Sequence, residues 1–504
     1  MAIVNQYCEF LCGWQSGDPW EGEYFNDDVG GNNTSMSIAT LGAGGVPSAP
    51  AAIAMGTYCV LVNKPAGHGG TDTSAYVNLS AHKAGSIGFM FYPKTNPTID
   101  DIHIGPGIDD GSLNGFGVFW GTDKKLRIKN YVGTTIAGPT VNTFDATAPA
   151  WYWIAMKWDN VSEFAAVQVW DSSRALITTG GYADAIGAHV DQVLNFSALT
   201  SLRWGDTWDD GAAEYWMGNV YLQKGGSWAP IAPNFGTRVP TSLNLNNTGW
   251  TREDGVDNTV AEPQAIDEAP PNDTAPDYLK QTNYASSGAQ RYAIASGLIP
   301  AGQNILAAGA TARMWQVAGP SDSLPNVGQQ TLGIRVGTSN LGGTARVIVN
   351  DVFTRIDSVW GYQHGIFRHT PPPVATSNGW TSADVDGILP LHTGVVEDGE
   401  NRLSQLTVYA AWGDEYLLDT PVNIGATLNE ALDTSETGVD VNNGALFTVG
   451  LTYIIPATNG EAEKIYVSSI AGNTLTVIRG FAGTSATTHS SGDAVKALTQ
   501  RGVG

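Results

Sequence analysis

The feature that most constrains the fold is a repeated run of a few residues in which large apolar side chains alternate with small or polar ones. Glycine, asparagine, aspartate or proline closes each run. Gly85–Tyr92 (GSIGFMFY), Gly115–Trp120 (GFGVFW), Lys125–Ile128 (KLRI) and Trp151–Trp158 (WYWIAMKW) are the clearest cases. A period of two sends successive side chains to opposite faces of a strand, and the turn residues end each run before a helical pattern can develop. With 61 glycines and only 14% charged residues, the composition suits many strands joined by tight turns. The expected class is all-β: two consecutive antiparallel β-sandwich (jelly-roll) domains, residues 1–237 and 238–413, then a small β-barrel-like or hairpin-rich C-terminal module, 414–504. A chain of 504 residues is long enough for three such units.

The second unit carries the runs Tyr292–Ile294, Ile305–Ala308, Leu332–Val336, Arg346–Val349 and Gln405–Trp412. Its order, with the acidic stretch Ile266–Leu279, resembles a β-sandwich found in phage tail and fibre proteins. From Glu253 to Asp277 the chain holds eight acidic residues, no basic ones, and prolines at Pro263, Pro270, Pro271 and Pro276. Those prolines forbid a helix, so an extended loop or edge is expected.

Near the C-terminus, Ile465/Val467 and Leu475/Val477 alternate with polar residues across the turn signal Ala471-Gly472-Asn473, which reads as a hairpin. A unit this small buries little apolar area, and Glu463, Arg479 and His489 are expected to form a charged hydrogen-bonded network that pins its loops. Glu463, Ile465-Tyr466-Val467, Gly472-Asn473, Leu475-Thr476-Val477, Arg479-Gly480, Gly483-Thr484, His489, Gly492 and Val495, in that order, resemble a small β module that recurs in bacteriophage structural proteins.

The first unit resembles the concanavalin A-like or laminin-G-like jelly roll. The residues concerned are Phe89-Met90-Phe91, Trp151–Trp158, Val167–Asp171 and Trp216–Tyr221. That family often has Asp-Gly after the third of these strands, where this chain has Asp171-Ser172. The resemblance implies contact with a sugar. Trp14, Trp20, Trp208 and Trp228 are the tryptophans that would stack on one, although most tryptophans in a sandwich serve packing.

The formal charge of −23 opposes a phosphate backbone, so nucleic acid is not an expected partner. No run has the length of a membrane span, and the first residues lack a basic, apolar signal pattern, so no membrane insertion and no export are expected. Cys8, Cys12 and Cys59 are too few for a disulfide framework, and Cys8-x3-Cys12 lacks a matching pair for zinc. They are read as buried free thiols.

Asp206, Asp209 and Asp210 gather hard oxygen donors around a turn, as do Asp109 and Asp110. Calcium is the cation such turns would take, but neither has an EF-hand spacing and no cofactor is required. Glu21 and Glu23 share one face of a strand without the further carboxylate of related hydrolases. His364, His369 and His392 lack a zinc-binding spacing, and nucleophile-elbow and phosphate-loop motifs are missing from the sequence. A non-enzymatic protein is therefore expected.

The resemblances together imply a bacteriophage virion structural protein, a tail-fibre or tail-tip component contributing to host-glycan attachment. It would be assembled in the host cytoplasm, released by lysis, held to other virion proteins and built as a homotrimer. A capsid decoration or head-fibre protein is the alternative, and a polysaccharide depolymerase is the reading from a different class.

Overall fold

The computed structural model describes residues 7–12, 24–26, 35–64, 74–82, 84–98, 101–109, 115–130, 133, 135–137, 139–140, 142–159, 164–175, 177, 199–205, 212–224, 229–245, 250–252, 266–267, 278–281, 288–300, 303, 305–317, 327–336, 339–349, 361–367, 382–395, 400–413, 420–447, 452–456, 462–480 and 486–499. The chain is all-β and folds as antiparallel sheets. Among the described residues the helical elements are Ser382–Asp386 and the 3-10 turn Gly444–Leu446.

Two seven-stranded sheets make the first sandwich. The first sheet runs Phe164–Trp170, Tyr152–Asp159, Ala84–Thr95, Ala213–Lys224, Tyr58–Lys64, Ser35–Thr40, with Tyr7–Cys12 also paired to Ala213–Lys224. The second runs Thr135–Ala137, Leu126–Asn130, Gly115–Trp120, Ile102–Asp109, Leu199–Gly205, Ser74–His82, Tyr24–Asn26. The four runs that carry the jelly-roll resemblance lie on adjacent strands of the first sheet. Alternation explains the core between the sheets. Ile87, Phe89 and Phe91 point inward with Ile154, Met156, Trp158, Phe116, Val118 and Trp120, and all of them are fully buried. Each such side chain contributes about 1.5–3 kcal/mol through burial. Gly105, at φ +63°, sits in a bulge of Ile102–Asp109, where a Cβ would come within 2.3 Å of the Phe89 ring.

The third sheet, Trp250–Arg252, Leu279–Gln281, Glu400–Trp412, Ile305–Val317, Gly361–Phe367, faces the fourth, Pro240–Leu245, Gly288–Ile294, Ile388–Val395, Val327–Val336, Ser339–Val349. Trp250, Tyr292, Ala308, Ala310, Leu332, Leu406 and Val408 fill the space between them. Asn234–Arg238 also pairs with Glu400–Trp412, so the residues around the expected boundary at 237 hydrogen-bond within this second unit. The acidic stretch contributes Ile266 to the same core, and the Ile266 carbonyl accepts from Leu406 N at 3.0 Å. That bond fills the gap on Glu400–Trp412 between the partners of Asn234–Arg238 and those of Leu279–Gln281.

The two sandwiches meet face to face. Met90, Trp153, Trp170, Trp216 and Tyr221 point away from the first core and form a separate buried cluster with Leu306, Ala307, Tyr409 and Ala411 of the third sheet. Alternation again accounts for this, because Ala307, Tyr409 and Ala411 are the residues that Ala308, Val408 and Ala410 leave on the opposite face.

The C-terminal unit runs Thr420–Thr427, Ala494–Thr499, Thr452–Ile455, Glu463–Ala471, Thr474–Ile478, Gly438–Asp440. A bridge between Leu428 and Val441 joins its two ends, with Asn429 N donating to Asp440 O at 2.8 Å and Asn442 N to Thr427 O at 3.0 Å. The result is a small closed barrel without free edges at that seam. Its buried core includes Leu428, Val441, Phe447, Tyr453, Ile465, Val467, Leu475 and Val495, and among the described residues it draws on none from the other four sheets.

Candidate functional site

Trp14, Trp20, Trp208, Trp228, Asp206, Asp209 and Asp210 lie outside the described residues, as do Glu21, Glu23, Asp110 and His369. Asp109 ends the Ile102–Asp109 strand and is fully buried. His364 and His392 lie on strands of the third and fourth sheets respectively. Among the described residues no group of three or more His, Cys, Asp or Glu side chains converges as a metal-ligand set.

Glu463, Arg479 and His489 are brought together at one end of the barrel. Glu463 opens a strand, Arg479 follows the end of its hairpin partner, and His489 is bridged to Leu432 across the barrel end. The carboxylate is inaccessible to solvent and the guanidinium is 4% exposed. Arg479 Nε donates to Glu463 Oε1 and Nη2 donates to Oε2 at 2.8 Å, a bidentate pair. Gly480 N reaches Oε1 at 3.0 Å, Thr487 N reaches Oε2 at 3.0 Å, and His489 Nε2 lies 2.9 Å from Oε2.

The remaining guanidinium hydrogens are also used. Arg479 Nη1 donates to the carbonyls of Asp433 and Glu436, at 3.0 and 3.1 Å, and Nη2 to that of Thr487 at 2.7 Å. Burial pushes the Glu463 carboxyl up, but the bonds from Arg479, Thr487, Gly480 and His489 outweigh it and hold the group below its ordinary range. A carboxylate with its acceptor sites filled is a structural tie, joining the 433–436, 463, 479–480 and 487–489 segments. Thr487, Gly480 and the two carbonyls take part through backbone groups, which leave no residue-type signal in a sequence.

In the first sandwich the tryptophans Trp151, Trp153, Trp170 and Trp216 are each at most 6% exposed and belong to the seam between sandwiches. At its margin the Lys94 ammonium sits 5.5 Å above the centroid of Trp216 and 3.3 Å from Glu214, which also accepts from Thr95 Oγ1 at 3.0 Å. Tyr92, half-buried, packs against Trp151 at 5.3 Å. On the other sheet, His103 is fully buried beside Phe119, and Gly117 leaves room for its ring. Burial, with a smaller effect of Lys64, pushes this imidazole down to about 3, so it is neutral. A rim of ion pairs joins Arg127 to Asp101 and Asp123, Lys129 to Asp101, and Lys124 to Asp145.

No family model and no curated protein sequence matches the chain. Among solved structures it is similar to the cellulose-induced protein Cip1, at 11% identity and a TM-score of 0.29 over 44% of this chain and 99% of that one. It is also similar to the tandem CBM22-1-CBM22-2 domain of Paenibacillus barcinonensis Xyn10C, at 9% identity and 0.21 over 81% and 99% of the two chains. A third likeness is to arcelin-5, a lectin-like defense protein of Phaseolus vulgaris, at 9% and 0.20 over 40% and 96%. At these identities and TM-scores the likeness carries no argument about what the chain binds.

Proposed function

We propose that the chain is a non-enzymatic structural component of a bacteriophage particle, of tail-fibre or tail-tip type, whose first sandwich contacts a host glycan. The observation that carries the reading is the C-terminal barrel tied by Glu463, Arg479 and His489, because these are residues on which the resemblance to the phage β module rests. Two further features support it. The face-to-face seam packs the two sandwiches against each other, and the net charge of −23 opposes attraction to nucleic acid. Attachment to other virion proteins and a homotrimer belong to the same reading.

Within it, the glycan contact falls to Trp14, Trp20, Trp208 and Trp228, because Trp151, Trp153, Trp170 and Trp216 are buried in the seam. The test is to titrate surface polysaccharide of the host into the purified full chain and to assay the same mixture for new reducing ends. Saturable binding without turnover is expected. Release of reducing sugar would replace this reading with the depolymerase, and absence of both binding and turnover would leave the decoration protein in its place.

A further inference from the structure

We propose that residues 229–238 are a latch, set by Arg174, Asn219 and Asn234, that locks the two sandwiches into one rigid body. Backbone conformation, hydrogen bonding and packing converge on this segment. The non-glycine residues with positive φ among those described are Lys124, Arg174 (φ 67°), Asn219 (φ 28°) and Ala232 (φ 41°), and the last three meet here. Such conformations persist only where the surroundings over-determine them.

The surroundings do so at this junction. Arg174 Nε and Nη2 donate to the Ala232 carbonyl at 3.2 and 3.0 Å, and Nη2 also reaches Asn234 Oδ1 at 3.1 Å. Asn219 Nδ2 donates to the carbonyls of Ala54 and Pro233, at 3.2 and 3.4 Å. Ala54 is gripped on both its backbone groups, its N–H donating to Asn234 Oδ1 at 2.8 Å and its carbonyl accepting from Phe235 N at 3.0 Å. On the far side, Asn234–Arg238 is hydrogen-bonded along Glu400–Trp412 of the second sandwich. Gly236 lies so close that a Cβ there would be 2.8 Å from Leu298 Cδ1 and 3.0 Å from the Trp412 ring.

The segment is thus fastened to the first sandwich through side chains and the Phe235 amide, and to the second as a strand. It also covers the tryptophan face, since Ala229, Ala232 and Phe235 belong to the cluster that contains Trp151, Trp153, Trp170 and Trp216. Domains joined within one chain ordinarily move relative to each other. Here the connector removes that freedom and reserves the aromatic face for the seam. The inference does not depend on the phage reading.

Small-angle scattering and calorimetry on the full chain test it. The wild type is expected to scatter with the two sandwiches in one fixed relation, and these should unfold in one joint transition. In the Arg174→Ala, Asn234→Ala double variant the radius of gyration should rise and the joint transition should split in two. A double variant with unchanged far-UV circular dichroism, unchanged radius of gyration and an unsplit transition would overturn the proposal, as would a wild type whose sandwiches already unfold separately. If the double variant does not fold, Asn219→Gly decides the matter, because it keeps the backbone conformation and deletes the side-chain donor. A larger radius of gyration in that variant supports the latch, and an unchanged one refutes it.

Discussion

Replacing Arg479 with methionine keeps much of the side-chain volume and removes every donor that the guanidinium supplies to the barrel end. What remains is Glu463 with no solvent access and without its guanidinium partner. Breaking a buried pair by deleting one partner costs about 3–5 kcal/mol. The lower end applies here, because Gly480 N, Thr487 N and His489 still face the carboxylate. For a unit of this size each 1 kcal/mol moves the midpoint by roughly 4–8 °C, so a loss of about 3 kcal/mol lowers the barrel transition by roughly 12–24 °C. Differential scanning calorimetry of the full chain would show this transition moving while that of the sandwiches stays put, since the barrel core is separate. A double-mutant cycle with Glu463→Gln should return a coupling well above the ~0.2–1 kcal/mol of exposed pairs. A fall of less than about 4 °C, with a coupling inside that exposed range, would refute the argument that the pair holds the barrel closed.

The pH dependence of the same barrel has a defined sign. Glu463 titrates below its unfolded value of about 4.3, so its contribution is present above that value and is lost as pH falls from there through the lower folded value; midpoints measured from pH 7 to 3 should show the loss from this group setting in only as pH approaches about 4.3. His103 acts on the first sandwich in a different window. It stays neutral in the fold down to about 3, whereas the unfolded imidazole takes up a proton below about 6.5, so stability should fall by up to ~1.4 kcal/mol per pH unit between those values. His103→Gln should flatten that slope, and an unchanged slope would contradict the assignment. Burial pushes the Cys59 thiol up to about 12, so iodoacetamide at neutral pH should label it only after denaturation, as peptide mass spectrometry would reveal. Gly88→Ala would place a Cβ 2.1 Å from the Trp153 ring and should cost about 1–3 kcal/mol by overpacking; an unchanged melting midpoint would argue against the seam as described.

The strands were legible because alternation is a local signal. Trp151–Trp158 shows how far that signal reaches. Its inward residues Ile154, Met156 and Trp158 fill the first core, and its outward residues Trp151 and Trp153 are just as buried. A run that is apolar on both faces announces two buried faces, but does not say what covers the second. That information sits some 150 residues away, in Leu306 and Ala307, and farther still in Tyr409 and Ala411, and no local pattern links them to the tryptophans.

At the barrel end the residue types of Glu463, Arg479 and His489 suggested a network, because opposite charges near a small core invite pairing. The Thr487 and Gly480 amides that complete it were not legible, and neither were the Asp433 and Glu436 carbonyls, since any residue supplies such groups. Ile266 shows the same limit from the other side. An isoleucine in an acidic, proline-rich stretch is easily read as loop, yet it closes a gap on a core strand.

The proposal that the chain is a phage tail component is tested most directly by labelling phage particles, recovered from the source of the sequence, with an antibody raised against its first sandwich and imaging them by electron microscopy. Label at the tail tip or fibres is the predicted result. Label spread over the head would make the chain a decoration protein and remove the case for a receptor, and particles that carry no label and no chain by mass spectrometry would contradict the account outright.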